Sequence, residues 1–234
     1  MVRYSLREII MGLNANNVAA PKGNKVEQAV LSGSHGARVV QIIDLGIQDG
    51  GSYQGTAKPP VHKIQLTYEL SHEFMKDEEG VEQTDQPRWV NEDFAFHSLE
   101  VDLAKSTKRY KVLDPESTFG GDFTLLGGTP CTLAIITNAG KGKHQGKTFS
   151  NIANVTGPMN VPGYVQPELV HEVRVFTLDE PNMEVFGALP EWIQDKIKGN
   201  FEFKGSKLDV ALNGGETSTP KEPTKADVGD GDMY

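Results

Sequence analysis

Residues 130–156, PCTLAIITNAGKGKHQGKTFSNIANVT, constrain the fold more than any other stretch of the chain. Two runs rich in β-branched residues, 131–137 and 148–156, flank a loop holding Gly140, Gly142 and Gly146 together with Lys141, Lys143, His144 and Lys147. β-Branched side chains favour extended backbone, and glycines gathered between two such runs mark a turn. The stretch therefore predicts two antiparallel strands joined by a long, flexible, basic hairpin loop. From Phe123 through Pro167 there is no Asp or Glu, although the formal net charge of the chain is −9. A cationic loop on an acidic chain favours an anionic ligand at that point. An ordinary solvated hairpin tip would look the same in isolation, so the other elements must decide.

A chain of 234 residues can bury one core of roughly 100–150 residues and still carry extensions. Its hydrophobic fraction of 37%, with 25 Gly and 13 Pro, is lean for a single globule of that length, which predicts a compact domain with looser flanks. The single cysteine, Cys131, lies in an apolar run, which rules out a disulfide framework within the chain and a thiolate metal cluster. No stretch approaches the roughly 20 apolar residues of a membrane span. The segment MVRYSLREIIMGL breaks its apolar run with Arg7 and Glu8 and does not read as a secretion signal. A cytoplasmic protein, in a host cell if viral, is the expectation. Acidic residues concentrate in 73–85 and again at Asp227, Asp230 and Asp232, just before Met233 and Tyr234. Segregated charge leaves nucleic-acid binding open despite the negative total.

Taken in order, Ser5 and Glu8 form a capping box for a helix over 6–13, followed by a loose arm. Residues 36–48 read as a long first strand, with Gly46 marking a bulge or bend. A turn-rich loop, 49–60, carries Tyr53 and Lys58. Residues 61–74 alternate, with Ile64, Leu66, Tyr68 and Leu70 on a dry face and Lys63, Gln65, Thr67 and Glu69 on a wet one. An acidic loop comes next. In 88–96, Val90, Phe94 and Phe96 share one face while Trp89, Asn91 and Asp93 share the polar one. Ser98 is expected to open a helix ending in the basic cluster Lys105, Lys108, Arg109 and Lys111. Within 179–198, Met183, Phe186, Leu189, Trp192, Ile193 and Ile197 form an apolar side, with Pro190 placed to start a second helix. Beyond Leu212 the composition suits a disordered acidic tail. The division expected is an N-terminal helix and arm over 1–32, a domain over 33–160, an extension with an amphipathic helix over 161–212, and the tail over 213–234.

Three strands, a helix and two strands are the element order of an OB-fold, a mainly β, five-stranded Greek-key barrel with a helix between strands 3 and 4. OB-folds take oligonucleotides on the face of strands 2–3 and on the loops joining strands 1–2 and 4–5. Arg38, Tyr53, Lys58, Lys63, Trp89, Asn91, Lys141, Lys143, His144, Lys147 and Phe149 are the candidate nucleic-acid contacts on that plan. Exposed rings stack bases and ammonium groups neutralise phosphates, neither of which needs a particular sequence, so single strands are the expected ligand. The barrel should bring Trp89 and the two loops to one side of the molecule.

The run 36–156, best in GTPCTLAIITNAGKGKHQGKTFSNIANV, resembles the OB-fold single-stranded-DNA-binding replication proteins of tailed bacteriophages. Leu178, Asp179, Glu180 and Pro181, followed by LPEWIQDKIK, are similar to segments of the same proteins. The resemblance covers about half the chain. It implies a barrel that coats replication or recombination intermediates and a C-terminal tail, here Asp227, Asp230, Asp232, Met233 and Tyr234, that recruits a polymerase or other replication proteins. Here the tail is interrupted by Gly229 and Gly231 and ends in Tyr where Phe is commoner.

Enzymatic signatures are sparse. The six histidines are scattered without metal-ligand spacing, and Asp77, Glu78 and Glu79 lack the pattern of a calcium loop. There is no G-x-S-x-G and no Walker loop. A binding protein with no catalytic residue, metal or cofactor is expected. The alternatives are an OB-fold module that holds a host or phage protein, and a structural virion component. Oligomerisation along a strand stays open.

Overall fold

The computed structural model describes residues 29–215, so the expected helix over 6–13 and the acidic tail lie outside the described residues. Strand β1, Gly33–Gln48, holds the rest together. Along one edge it pairs antiparallel with β4, Val61–Lys76. Along the other it pairs antiparallel with β6, Pro130–Ala139, through its first six residues, and then parallel with β8, Arg174–Phe176. A short ribbon, β2 (Ser52–Tyr53) with β3 (Thr56–Ala57), lies in the loop between β1 and β4. Strand β4 turns back into β5, Glu82–Ala95, and β6 into β7, Thr148–Thr156. The path β5-β4-β1-β6-β7 curls until β5 and β7 come within 8 Å, Cα to Cα. Helix α1, Lys105–Leu113, lies against β5, β6 and β7. The protein is thus mainly β, with a six-stranded, mostly antiparallel sheet and few helices among the described residues.

A sixteen-residue strand stays in one sheet only by bending, and β1 does so at two register shifts, between Val39 and Gln41 and between Asp44 and Gly46. At the second, Gly46 adopts φ 71°, a left-handed conformation that costs a glycine little, while its N–H is held by Asp44 Oδ1 at 2.8 Å. The bend suspected from Gly46 is therefore present. The first shift inserts Val40 and reverses the facing of the residues after it. Ala37, Val39 and Ile42 point into a core with Leu66, Tyr68, Leu70, Phe94, Leu126 and Leu133, whereas Ile43 and Leu45 point to the opposite face.

That opposite face is not solvated. Helices α2 (Met183–Ala188), α3 (Glu191–Lys198) and α4 (Lys207–Asn213) bring Phe186, Leu189, Ile193, Ile197 and Leu208 against Ile43, Leu45 and Phe176 in a second core. Asn182 and Ser206 cap α2 and α4 with side-chain oxygens, and Pro190 sits at the start of α3. Met183 and Trp192, expected on the apolar side, are exposed instead.

Two expected boundaries are corrected. Ser98 does not open α1, because its hydroxyl accepts the Glu100 N–H and its carbonyl accepts from Val101 and Thr107, which closes turns and delays the helix to Lys105. The acidic loop is mostly strand: β4 and β5 run on to Lys76 and Glu82, leaving a tip at 77–81 where Asp77 accepts from the Glu79 and Val81 N–H groups.

Inside the first core Glu92 is surrounded by donors. Arg109 binds it through Nε at 2.7 Å and Nη2 at 3.1 Å, Lys105 Nζ at 2.7 Å, and the Tyr68 hydroxyl at 2.9 Å. Burial works against its charge, but Arg109 and Lys105 outweigh burial and hold the carboxyl below its ordinary value.

The second core gives a direct check. Ile197 is fully buried, and Ile197→Ala should lower unfolding stability by about 2–5 kcal/mol. Urea titration of wild type and variant, followed by circular dichroism, measures it; a difference below about 0.5 kcal/mol, typical of a surface change, would show that the helices are not integral to the fold.

Candidate nucleic-acid interface

The β6–β7 hairpin reaches past the end of β1: Gly33 of β1 pairs with Ile135, and β6 continues to Ala139 opposite Thr148. Its tip is more ordered than the glycines suggested. Gly140 N–H donates to Lys147 O at 2.7 Å, and a single 3-10 turn, Gly142–His144, fills the loop. Gly140 is required there, since a Cβ would lie 2.1 Å from the His144 carbonyl oxygen. Lys141, Lys143, His144 and Lys147 are all exposed. Phe149, 42% exposed, meets the His144 ring edge-on at 5.7 Å. The hairpin thus presents three ammonium groups, an imidazole and a phenyl ring from a segment without a carboxylate.

The other candidates are arranged differently from the expectation. The wet face of β4 is covered: Gln65, Thr67 and Glu69 are 0–4% exposed. Residues 164–176 and α3 lie over it. Glu69 accepts the Val170 N–H at 2.6 Å, His171 Nδ1 at 2.7 Å and Trp89 Nε1 at 3.1 Å. The half-buried Trp89 also meets His171 edge-on at 5.1 Å, with the Arg174 guanidinium 5.8 Å from its ring centre. Its indole is occupied by the chain itself. Asp93 accepts from Gln65 at 2.8 Å and is paired with Lys196 of α3. Between these, Asn91 is exposed.

Arg38 is withdrawn from the set of ligand contacts. Its guanidinium donates to Pro167 O at 2.7 Å, Gly128 O at 2.9 Å, Gln166 O at 3.3 Å and Glu168 Oε1 at 2.8 Å, which fastens the extension to β1. Lys63 Nζ donates to Asp49 O at 2.8 Å, closing the base of the loop 49–60. Tyr53 and Lys58 belong to that loop, whose strands leave and rejoin the sheet where Gln48 pairs with Val61. This is the end of β1 opposite the basic hairpin. The two loops therefore stand at opposite ends of β1 with a covered face between them, and the single groove expected from the sequence is not formed. Asp227, Asp230, Asp232, Met233 and Tyr234 lie outside the described residues.

Sequence reasoning missed the anchors of the covered face, Glu69 and His171, which are 102 positions apart. It also missed a polar joint at the second bend of β1. Asp44 accepts from His62 Nε2 at 2.5 Å and from the N–H groups of Gly46 and Leu178. Burial disfavours the Asp44 charge, but His62 and the amide donors prevail and lower its pKa. The bond to Asp44 raises His62, against the opposing effect of burial. Cys131 is buried, and burial pushes its thiol up to about 12, where it is no nucleophile at neutral pH. Among the described residues there is no group of three or more His, Cys, Asp or Glu placed to hold a metal ion, and no helix long and apolar enough to cross a membrane.

The Asp44–His62 joint makes stability depend on pH in a defined direction. Because the His62 pKa is raised from 6.5, its stabilisation is complete below 6.5 and is lost as pH climbs through the folded value. The Asp44 share is present above 3.8 and is lost as pH falls through its lowered value. The melting-temperature gap between wild type and His62→Gln should therefore be widest near pH 5–6 and shrink by pH 9; a gap that widens with pH would contradict the pairing. No protein-family model, curated protein or solved structure matches the chain.

Proposed function

We propose that the chain is a sequence-tolerant single-stranded-DNA-binding protein whose curled sheet is an OB-type Greek-key barrel. In this reading β1, β4, β5, α1, β6 and β7 take the places of the five strands and the helix. The single observation that carries it is the basic hairpin: Lys141, Lys143, His144, Lys147 and Phe149 exposed together on an acid-free arm of a chain with net charge −9. Ammonium groups there neutralise phosphates, and the Phe149 ring offers a base a face to stack on. Single strands are favoured over duplex because in a single strand a base can leave the stack and offer its face to an aromatic ring. The arm grips the strand and the barrel carries it. Coating of replication or recombination intermediates, with recruitment of replication proteins through residues 227–234, follows from the resemblance in the sequence. The role is one of binding, without catalysis.

A second reading, an OB-fold module that docks a protein, is favoured by one observation. Trp192 and Phe201 in the C-terminal extension are 54% and 65% exposed.

Binding of a fluorescent oligo(dT) at a series of salt concentrations separates the two. Wild type should weaken with salt, and the triple variant K141A/K143A/K147A should bind more weakly with a log–log salt slope shallower by about 2, at roughly 0.7 per phosphate neutralised. An unchanged slope and affinity in the triple variant would remove the arm as the site and favour the docking module.

A further inference from the structure

At the end of β1 away from the basic arm lies a half-open cavity of about 210 Å³, lined by Phe96, His97, Ser98, Leu99, Gly121 and Phe123. We propose that this cavity receives one unstacked nucleobase of a bound strand. The inference deepens the single-strand reading and rests on it.

The walls are built and held before any ligand arrives. Phe96 and Phe123 meet edge to face, 5.2 Å apart and at 86°, and so form one continuous aromatic wall against which a further ring can pack. Phe123 is buried and tilts against Tyr110 at 5.0 Å. Phe96 is braced from the other side by the His62 ring at 5.4 Å, and its N–H donates to the His62 carbonyl. The next residue, His97, is tied through its N–H to Ser106 Oγ at 3.1 Å. A rigid, preformed concavity of this kind binds without the cost of assembling itself.

Size and chemistry select the ligand. An apolar cavity of about 150 Å³ takes a benzene ring, so the larger volume here suits a nucleobase, up to the two fused rings of a purine. Phe96, Leu99 and Phe123 offer a ring apolar contact, and the exposed imidazole of His97, with no hydrogen-bond partner among the described residues, offers it a hydrogen bond at the rim. A heterocycle with ring nitrogens and exocyclic groups satisfies both. Gly121 keeps the space open. Its φ is 96°, its N–H donates to the Tyr110 hydroxyl at 2.7 Å, and a Cβ there would touch Leu99 Cδ1 at 3.4 Å.

The position suits a strand as well. Lys63 pairs with Ala95, immediately before Phe96, so the loop 49–60 with Lys58 joins the sheet beside the cavity. A strand held by the basic arm at one end of β1 would reach the cavity at the other.

The test compares a 20-residue oligo(dA) with an abasic oligomer of the same length, against wild type, His97→Ala, Leu99→Trp and the arm variant K141A/K143A/K147A. Circular dichroism confirms folding; His97→Ala alters an exposed side chain and serves should Leu99→Trp disturb the core. Leu99→Trp, which fills the cavity, should weaken oligo(dA) binding about five-fold or more, the loss of one stacked base. His97→Ala should weaken it about two- to ten-fold, the loss of one hydrogen bond. Neither should alter binding of the abasic oligomer, whereas the arm variant should weaken both. If both cavity variants bind oligo(dA) as wild type does while the arm variant is impaired, the cavity holds no base and the arm reading survives. If wild type binds neither oligomer, the single-strand reading falls and the cavity proposal falls with it; if the arm variant binds both as wild type does, the arm is not the site and the two cavity variants alone decide the cavity proposal.

Discussion

The place of the C-terminal helices depends on the inserted residue at Val40. Without it, the residues of β1 would alternate strictly and one strand could serve only one core, with the opposite face left to water. One extra residue shifts the alternation, so Ala37, Val39 and Ile42 seal the interior of the curled sheet while Ile43 and Leu45 give the C-terminal helices something apolar to cover. Each fully buried Ile or Leu contributes about 1.5–3 kcal/mol of transfer free energy, so eight buried side chains in the second core are enough to make the extension part of the fold. Among the described residues β1 is thereby the one strand with three partners.

Once the helices are in place, the polar residues beneath them must be satisfied. Glu69 shows how that is done: a carboxylate 4% exposed, with an amide, an imidazole and an indole donating to it, is not a site waiting for a ligand. The same holds for Arg38, whose donors are consumed by carbonyls and Glu168. The loops and hairpin tips project at the ends of the strands. Both hairpin tips, the acidic one at 77–81 and the basic one at 140–147, emerge beyond the first residues of β1, and the loop 49–60 lies at the far end.

Much of this was legible in the sequence because it is local. Alternation of Ile64, Leu66, Tyr68 and Leu70 against polar neighbours predicts β4 and its inner face, and Gly46 predicts the bend. Pro190 marks the start of α3. The features that escaped were set by contacts distant in sequence. Lys63, Gln65, Thr67 and Glu69 read as a wet face because each is polar, yet Glu69 is buried through His171 and Val170, which no spacing rule links to it. Trp89 looked free for stacking because its neighbours Asn91 and Asp93 are hydrophilic; its indole N–H had already found Glu69. Ser98 failed as a helix start because its hydroxyl reached Glu100 and its carbonyl Val101, closing a local turn. The parallel strand β8, three residues long, is too short to leave a periodic signature.

The lone thiol of the chain gives the first core a built-in clock. Cys131 is wholly enclosed between β1 and the interior, and its proton is held far above neutral pH. An alkylating reagent in the surrounding water meets no thiolate while the sheet is closed. Its rate of capture therefore counts the moments when β6 and β1 part, so a dye bound to that atom marks molecules that have opened.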